Sequence, residues 1–100
     1  MGLARSRLQP SSTTEEHIHH HFSQGVAQSR TGETEPAIRN LERAIELDPS
    51  LEDAYFLLAQ IYANKDQPAM RRRTLERYLR FMPQSISALE ALKGSSLSGH

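Results

Sequence analysis

Four of the chain's five histidines, His17, His19, His20 and His21, form its densest set of metal-ligating side chains. On a helix His17 and His21 share a face with His20 beside them, so two or three imidazoles could converge on zinc or nickel. A catalytic zinc also needs a further strong ligand and an oriented general base, and the sequence has no His-Glu-x-x-His segment to supply them. His17, His20 and His21 are therefore weak candidates, read as a solvated or partner-facing helix start that picks up stray metal. No resident metal or cofactor is expected.

The second charged set is Arg71, Arg72, Arg73, Arg77 and Arg80. Arg73, Arg77 and Arg80 share one helical face and could meet phosphates or an acidic protein. No aromatic stacking set interleaves with them, Glu76 interrupts them, and the whole chain carries a net charge of zero. The face is read as solvated or as a patch for an acidic partner, with no nucleic acid partner expected. Catalytic signatures are missing. There is no glycine-rich phosphate loop, no Gly-x-Ser-x-Gly elbow and no carboxylate pair with an evident pocket. Glu33 with Glu35, and Glu52 with Asp53, stand at expected helix starts, where the helix dipole already accounts for them. The chain is not expected to be an enzyme.

Size and composition narrow the class further. One hundred residues, 37% hydrophobic and 6% aromatic, can fill a thin core between helices. With no cysteine there are no disulfides or thiol nucleophiles, which fits a reducing compartment. No apolar run approaches the roughly 20 residues of a membrane span, and the opening lacks the apolar core of a secretory signal. A soluble, cytoplasmic protein is expected. Gly2 and Ser6, with Arg5 and Arg7 as a basic supplement, match a myristoylation pattern that arises often by chance.

Five helices are expected to position these residues. The first runs from about Thr14 to Arg30, with Thr13 and Glu16 spaced as a capping box and Gly32 as its stop. The second begins near Thr34, has Pro36 in its first turn and ends at Asp48 before Pro49. The third is capped by Ser50 and ends near Asn64. The fourth begins at Asp66 or Gln67, carries Pro68 in its first turn and stops before Pro83. The fifth spans about Gln84 to Lys93, with Gly94 as its breaker. Ile38, Leu41, Ala44, Ile45 and Leu47 form one apolar stripe, and Ala54, Leu57, Leu58, Ile61 and Tyr62 another, so each helix has a buried side. Short links make consecutive helices antiparallel neighbours: one pairs with two, three with four, and five starts a third hairpin. Residues 1–13 and 94–100 are expected to be flexible, and 14–93 to form the domain.

The hydrophobic pattern repeats. Pro83 follows Pro49 by 34 residues, and Leu41 and Leu75, Ile45 and Leu79, Phe22 and Phe56, and Gly25 and Ala59 keep the same offset. A period of 34 in a helical chain indicates stacked helix hairpins. In the second unit Tyr55, Leu58, Ala59, Tyr62, Leu75 and Pro83 fit the large and small positions of the tetratricopeptide repeat. Gly25, Gly32, Ala37, Leu41, Ala44 and Pro49 do so in the first. The chain thus resembles that family over about residues 18–85, as repeats at about 18–51 and 52–85. Helix five, at about 84–93, is its capping helix, with a polar exposed side of Gln84, Ser87, Glu90 and Lys93. The resemblance implies an all-α fold, a right-handed superhelical stack of antiparallel hairpins.

The departures from the pattern carry expectations of their own. His21, Gln24 and Gln28 replace large apolar residues, so that side of the first hairpin should be wet or partner-covered. Arg71 and Tyr78 replace small residues, so they should spread the second hairpin or turn outward.

The resemblance also implies a function. In this family the first helix of each hairpin lines a concave groove that holds a peptide or helix of a partner protein. Carried over, the groove positions are His19, Phe22, Val26, Ser29 and Arg30 in the first unit, and Asp53, Phe56, Gln60, Ala63 and Asn64 in the second. The alternative use of Phe22 and Phe56 is as core. A chaperone-type carboxylate clamp is disfavoured, because Phe22 and Val26 stand where its polar residues belong. Two and a half repeats bury little surface, so a self-associating assembly subunit is the alternative function. Eight acids against three bases from Glu33 to Asp66, and six bases against two acids from Gln67 onward, favour antiparallel pairing of two copies as a homodimer.

Overall fold

The computed structural model describes residues 9–97, as five helices: α1 (Gln9–Arg30), α2 (Thr34–Leu47), α3 (Glu52–Asn64), α4 (Pro68–Phe81) and α5 (Ile86–Leu97). There is no strand among the described residues. The myristoylation pattern at Gly2 to Ser6 and the last three residues of the expected tail lie outside them.

The chain divides between Asp48 and Pro49 into two compact units, and each pairs its helices as the sequence predicts. In the first, α1 packs on α2; in the second, α3 packs on α4 and α4 on α5. The core of α2 is Ala37, Leu41, Ala44 and Ile45, and that of α3 is Ala54, Tyr55, Leu58, Ala59, Ile61 and Tyr62. The stripes read from the sequence supply most of this core, except that Ile38, Leu47 and Leu57 are only half-buried and Ala37, Tyr55 and Ala59 join it.

Turns confirm the stop signals. Gly32 ends α1 in the left-handed region (φ 81), and the Glu33 amide donates back to the Gln28 carbonyl at 2.8 Å, the bond that closes a Schellman motif. At the N-terminus of α4, Pro68 occupies the first turn, where its missing amide costs no hydrogen bond.

Four boundaries differ from expectation. The described part of α1 starts at Gln9, ahead of the expected Thr14, so Thr13 lies inside the helix rather than at its cap. Ser50 is not the cap of α3, because that position falls to Leu51, which makes no side-chain cap bond. α5 begins later than predicted, at Ile86, and its cap is Ser85: the Ala88 amide donates to Ser85 Oγ at 3.2 Å. It runs through Gly94 to Leu97. A single glycine costs a helix only about 1 kcal/mol, too little to stop it alone.

Candidate functional site

The second unit holds the clearest candidate, and aromatic packing builds it. Tyr55 is buried on α3, with its hydroxyl donating to the Pro49 carbonyl at 2.8 Å. Tyr78 of α4 lies against it, ring centroids 4.8 Å apart, and meets Phe56 edge-on at 6.3 Å. The expectation that Tyr78 would spread the hairpin or turn outward is therefore corrected. Its ring turns inward, is 4% exposed and completes a three-ring stack, while α4 stays continuous. Burial, and next the charge of Glu52, push its phenol above the ordinary value of 10.0, and a hydrogen bond with Ser85 opposes them. At neutral pH it is a protonated packing group.

Phe56 is thus held by Tyr78 on one side and half-exposed on the other. Its free side opens on a concavity of about 450 Å³ between α3, α4 and α5. Phe56, Gln60 and Ala63 follow one another at helical spacing along α3, Leu75 contributes from α4, and Glu90 and Ala91 close the side toward α5. Of the five groove positions predicted here, three meet in this hollow. Asp53 and Asn64 are exposed on the same helix outside it.

Sequence reasoning missed Arg71, which also lines the hollow. Rather than spreading the hairpin, its side chain reaches toward α5, where Nη2 donates to the Ala91 carbonyl at 3.3 Å. Nη1 is buried without a hydrogen-bond partner. The available signal was its type: a long cation where the preceding repeat has Ala37 must extend along the helix to reach polar groups.

In the first unit the predicted positions lie along α1. His19 and Arg30 are exposed, and Phe22, Val26 and Ser29 are half-buried, Ser29 Oγ donating to the Val26 carbonyl at 2.8 Å. Of the three residues expected to be wet or partner-covered, Gln24 is exposed, whereas His21 and Gln28 are half-buried and engaged from within the hairpin. Asn40 of α2 accepts at Oδ1 from His21 Nδ1, 2.9 Å away, and donates through Nδ2 to Gln28 Oε1 at 2.8 Å. The amide orientation and the histidine tautomer follow from this network. His21 and Gln28 are each satisfied there by Asn40.

That network also bears on metal binding, since it commits His21 to α2, while His19 Nε2 lies 3.4 Å from Ser23 Oγ. Among the described residues no three His, Cys, Asp or Glu side chains are grouped to hold a metal ion. Of the basic face, Arg73 and Arg80 are exposed, whereas Arg77 is half-buried with its guanidinium 5.8 Å from the Tyr55 ring centroid. Among the described residues no helix is long and apolar enough to cross a membrane.

Comparison with known families points the same way as the hairpins. A family model described as TPR repeat matches residues 30–66, and one described as Tetratricopeptide repeat matches residues 52–84. The second spans α3 and α4, the helices that carry the three-ring stack. No curated protein matches the chain.

Proposed function

We infer, since this chain belongs to the tetratricopeptide-repeat family, that it is a non-catalytic interaction module which holds a peptide or helix of a partner protein against α3. Repeats of this family generally mediate protein–protein contacts. The observation that supports the reading is the hollow beside Phe56, an aromatic ring fixed on one side by Tyr78 and free on the other. A rigid ring offers contact area at little cost in side-chain freedom, and the adjoining Gln60 can hydrogen-bond a peptide backbone. Asp53 and Asn64 would flank the bound segment. His19, Phe22, Val26, Ser29 and Arg30 carry the same reading for the first unit, taken by itself.

Arg73 and Arg80, with Arg77 beside them, are proposed to meet acidic surface on the partner. Long-range attraction of that kind speeds encounter more than it tightens binding, so raising salt should slow association first. A cytoplasmic location accompanies the proposal. Selection of peptide binders on the folded chain, followed by titration against Gln60→Ala and Ala63→Arg, tests it. Both residues are exposed, so loss of binding in either variant reports on the surface and not on folding.

A further inference from the structure

Arg71 stands where packing alone asks for no arginine. It lies one repeat after Ala37, and there a fully buried methyl group completes the first hairpin. In the second unit the same position sends a guanidinium past the hollow beside Phe56 toward α5. Its aliphatic stem can line that hollow, but its charged head is poorly provided for. Nη2 donates to the Ala91 carbonyl at 3.3 Å, longer than the usual limit of about 3.2 Å, and Nη1 is buried with no partner. A cation held in this way carries an uncompensated desolvation cost, so it favours any acceptor delivered to it.

The hollow does not supply that acceptor itself. Besides Arg71 its polar side chains are Gln60, Ser87 and Glu90, all on exposed residues. The Glu90 carboxylate stands in water, where pairing with a cation brings little. A neutral carbonyl, such as the one already on Nη2, leaves the charge unbalanced. A carboxylate meets both needs, because it neutralises the guanidinium and accepts a charge-assisted bond from the unpartnered nitrogen.

Burial decides how the carboxylate arrives. Gln60 and Ala63 are exposed along α3, whereas Leu75 and Arg71 Nη1 are buried at the base of the hollow. A segment laid on the exposed residues therefore reaches Nη1 with a side chain, while a chain end would have to leave that surface and descend. Resting on the reading of this hollow as a peptide site, we propose that Arg71 selects the partner: the segment held beside Phe56 carries an aspartate or glutamate whose side chain pairs with the Arg71 guanidinium. Arg71 is then a specificity residue inside the site, distinct from the outward Arg73 and Arg80.

Affinity selection of random peptides on the full chain tests it, with one library acetylated and amidated at its ends and a parallel one left with free C-termini. Peptides enriched from the blocked library should share an Asp or Glu at a fixed distance from an apolar residue. Changing that acid to its amide should weaken calorimetric binding to the wild type at least about tenfold, and to Arg71→Met no more than about twofold. Arg71→Met keeps the stem and removes the unpartnered nitrogen, so its melting temperature should not fall; Arg71→Gln gives the same comparison should Arg71→Met fail to fold. Glu90→Gln, which removes the competing carboxylate, should bind the acidic peptides at least as tightly as the wild type. Enriched peptides without a shared acid, an acid whose loss costs as much on Arg71→Met as on the wild type, or weaker binding by Glu90→Gln would overturn the proposal and leave the peptide site standing. Enrichment from the free-ended library alone would do the same, since Arg71 would then read a chain end. If neither library enriches a peptide, the peptide site falls and the proposal falls with it.

Discussion

Gly32 and Asp66, one repeat length apart, hold the same left-handed backbone, with φ of 81 and 61. Each ends the first helix of its hairpin, and each is followed by the same returning bond, Glu33 to Gln28 at 2.8 Å and Gln67 to Tyr62 at 2.9 Å. The repeat therefore conserves a backbone shape where it changes the residue. Aspartate tolerates this region better than most side chains but less well than glycine.

The turn pair yields opposite substitutions with opposite signs. Asp66→Gly should stabilise the chain by about 0.5 kcal/mol, and Gly32→Ala should cost about 1 kcal/mol. A Cβ at Gly32 meets nothing within 4 Å, so its cost comes from the backbone alone. Urea unfolding of the two variants checks both signs.

Gly25 is constrained by space instead. A Cβ there would lie 2.8 Å from Leu41 Cγ and 2.9 Å from its Cδ2, and Leu41 is fully buried. Gly25→Ala should cost about 1–3 kcal/mol through overpacking. Combined with Leu41→Ala, which removes the opposing atoms, it should cost measurably less than the two single changes added together. Thermal unfolding of the four-member cycle measures that difference.

Tyr78 predicts an alkaline limit to stability. Its phenol is raised in the folded state, first by burial and then by Glu52, so the folded chain retains a proton that the unfolded chain releases near 10.0. The contribution is complete below that pH and is lost as pH rises through the higher folded value. Denaturant midpoints should therefore fall above about pH 10, and Tyr78→Phe should flatten the fall. At neutral pH the same variant should cost about 1 kcal/mol for its hydrogen bond with Ser85.

Much of the fold was legible because its signals are local. Gly32, Pro68 and the apolar stripes of α2 and α3 act through backbone conformation and helical spacing. The errors fall where a neighbour decides. Ser50 and Ser85 are both serines near a helix start, yet Ser85 caps and Ser50 does not occupy the cap position. Tyr78 was read as too large for a small-residue position, but it meets the Tyr55 and Phe56 rings inside the second unit. His21 and Gln28 looked unsatisfied until Asn40, on the facing helix, supplied both an acceptor and a donor. The family resemblance picked out Phe56, Gln60 and Ala63, while Arg71 joined the hollow through a reach toward α5 that the resemblance does not encode.

The central claim is that the face of α3 beside Phe56 binds another polypeptide. A peptide library displayed on phage, selected on the full chain and read out by calorimetric titration of the enriched sequences, tests it most directly. The account predicts enriched peptides with dissociation constants of about 1–100 µM, weakened at least about tenfold by Ala63→Arg and by Gln60→Ala at unchanged melting temperature. Enriched peptides that bind both variants as tightly as the wild type, or a selection that enriches none, would contradict it.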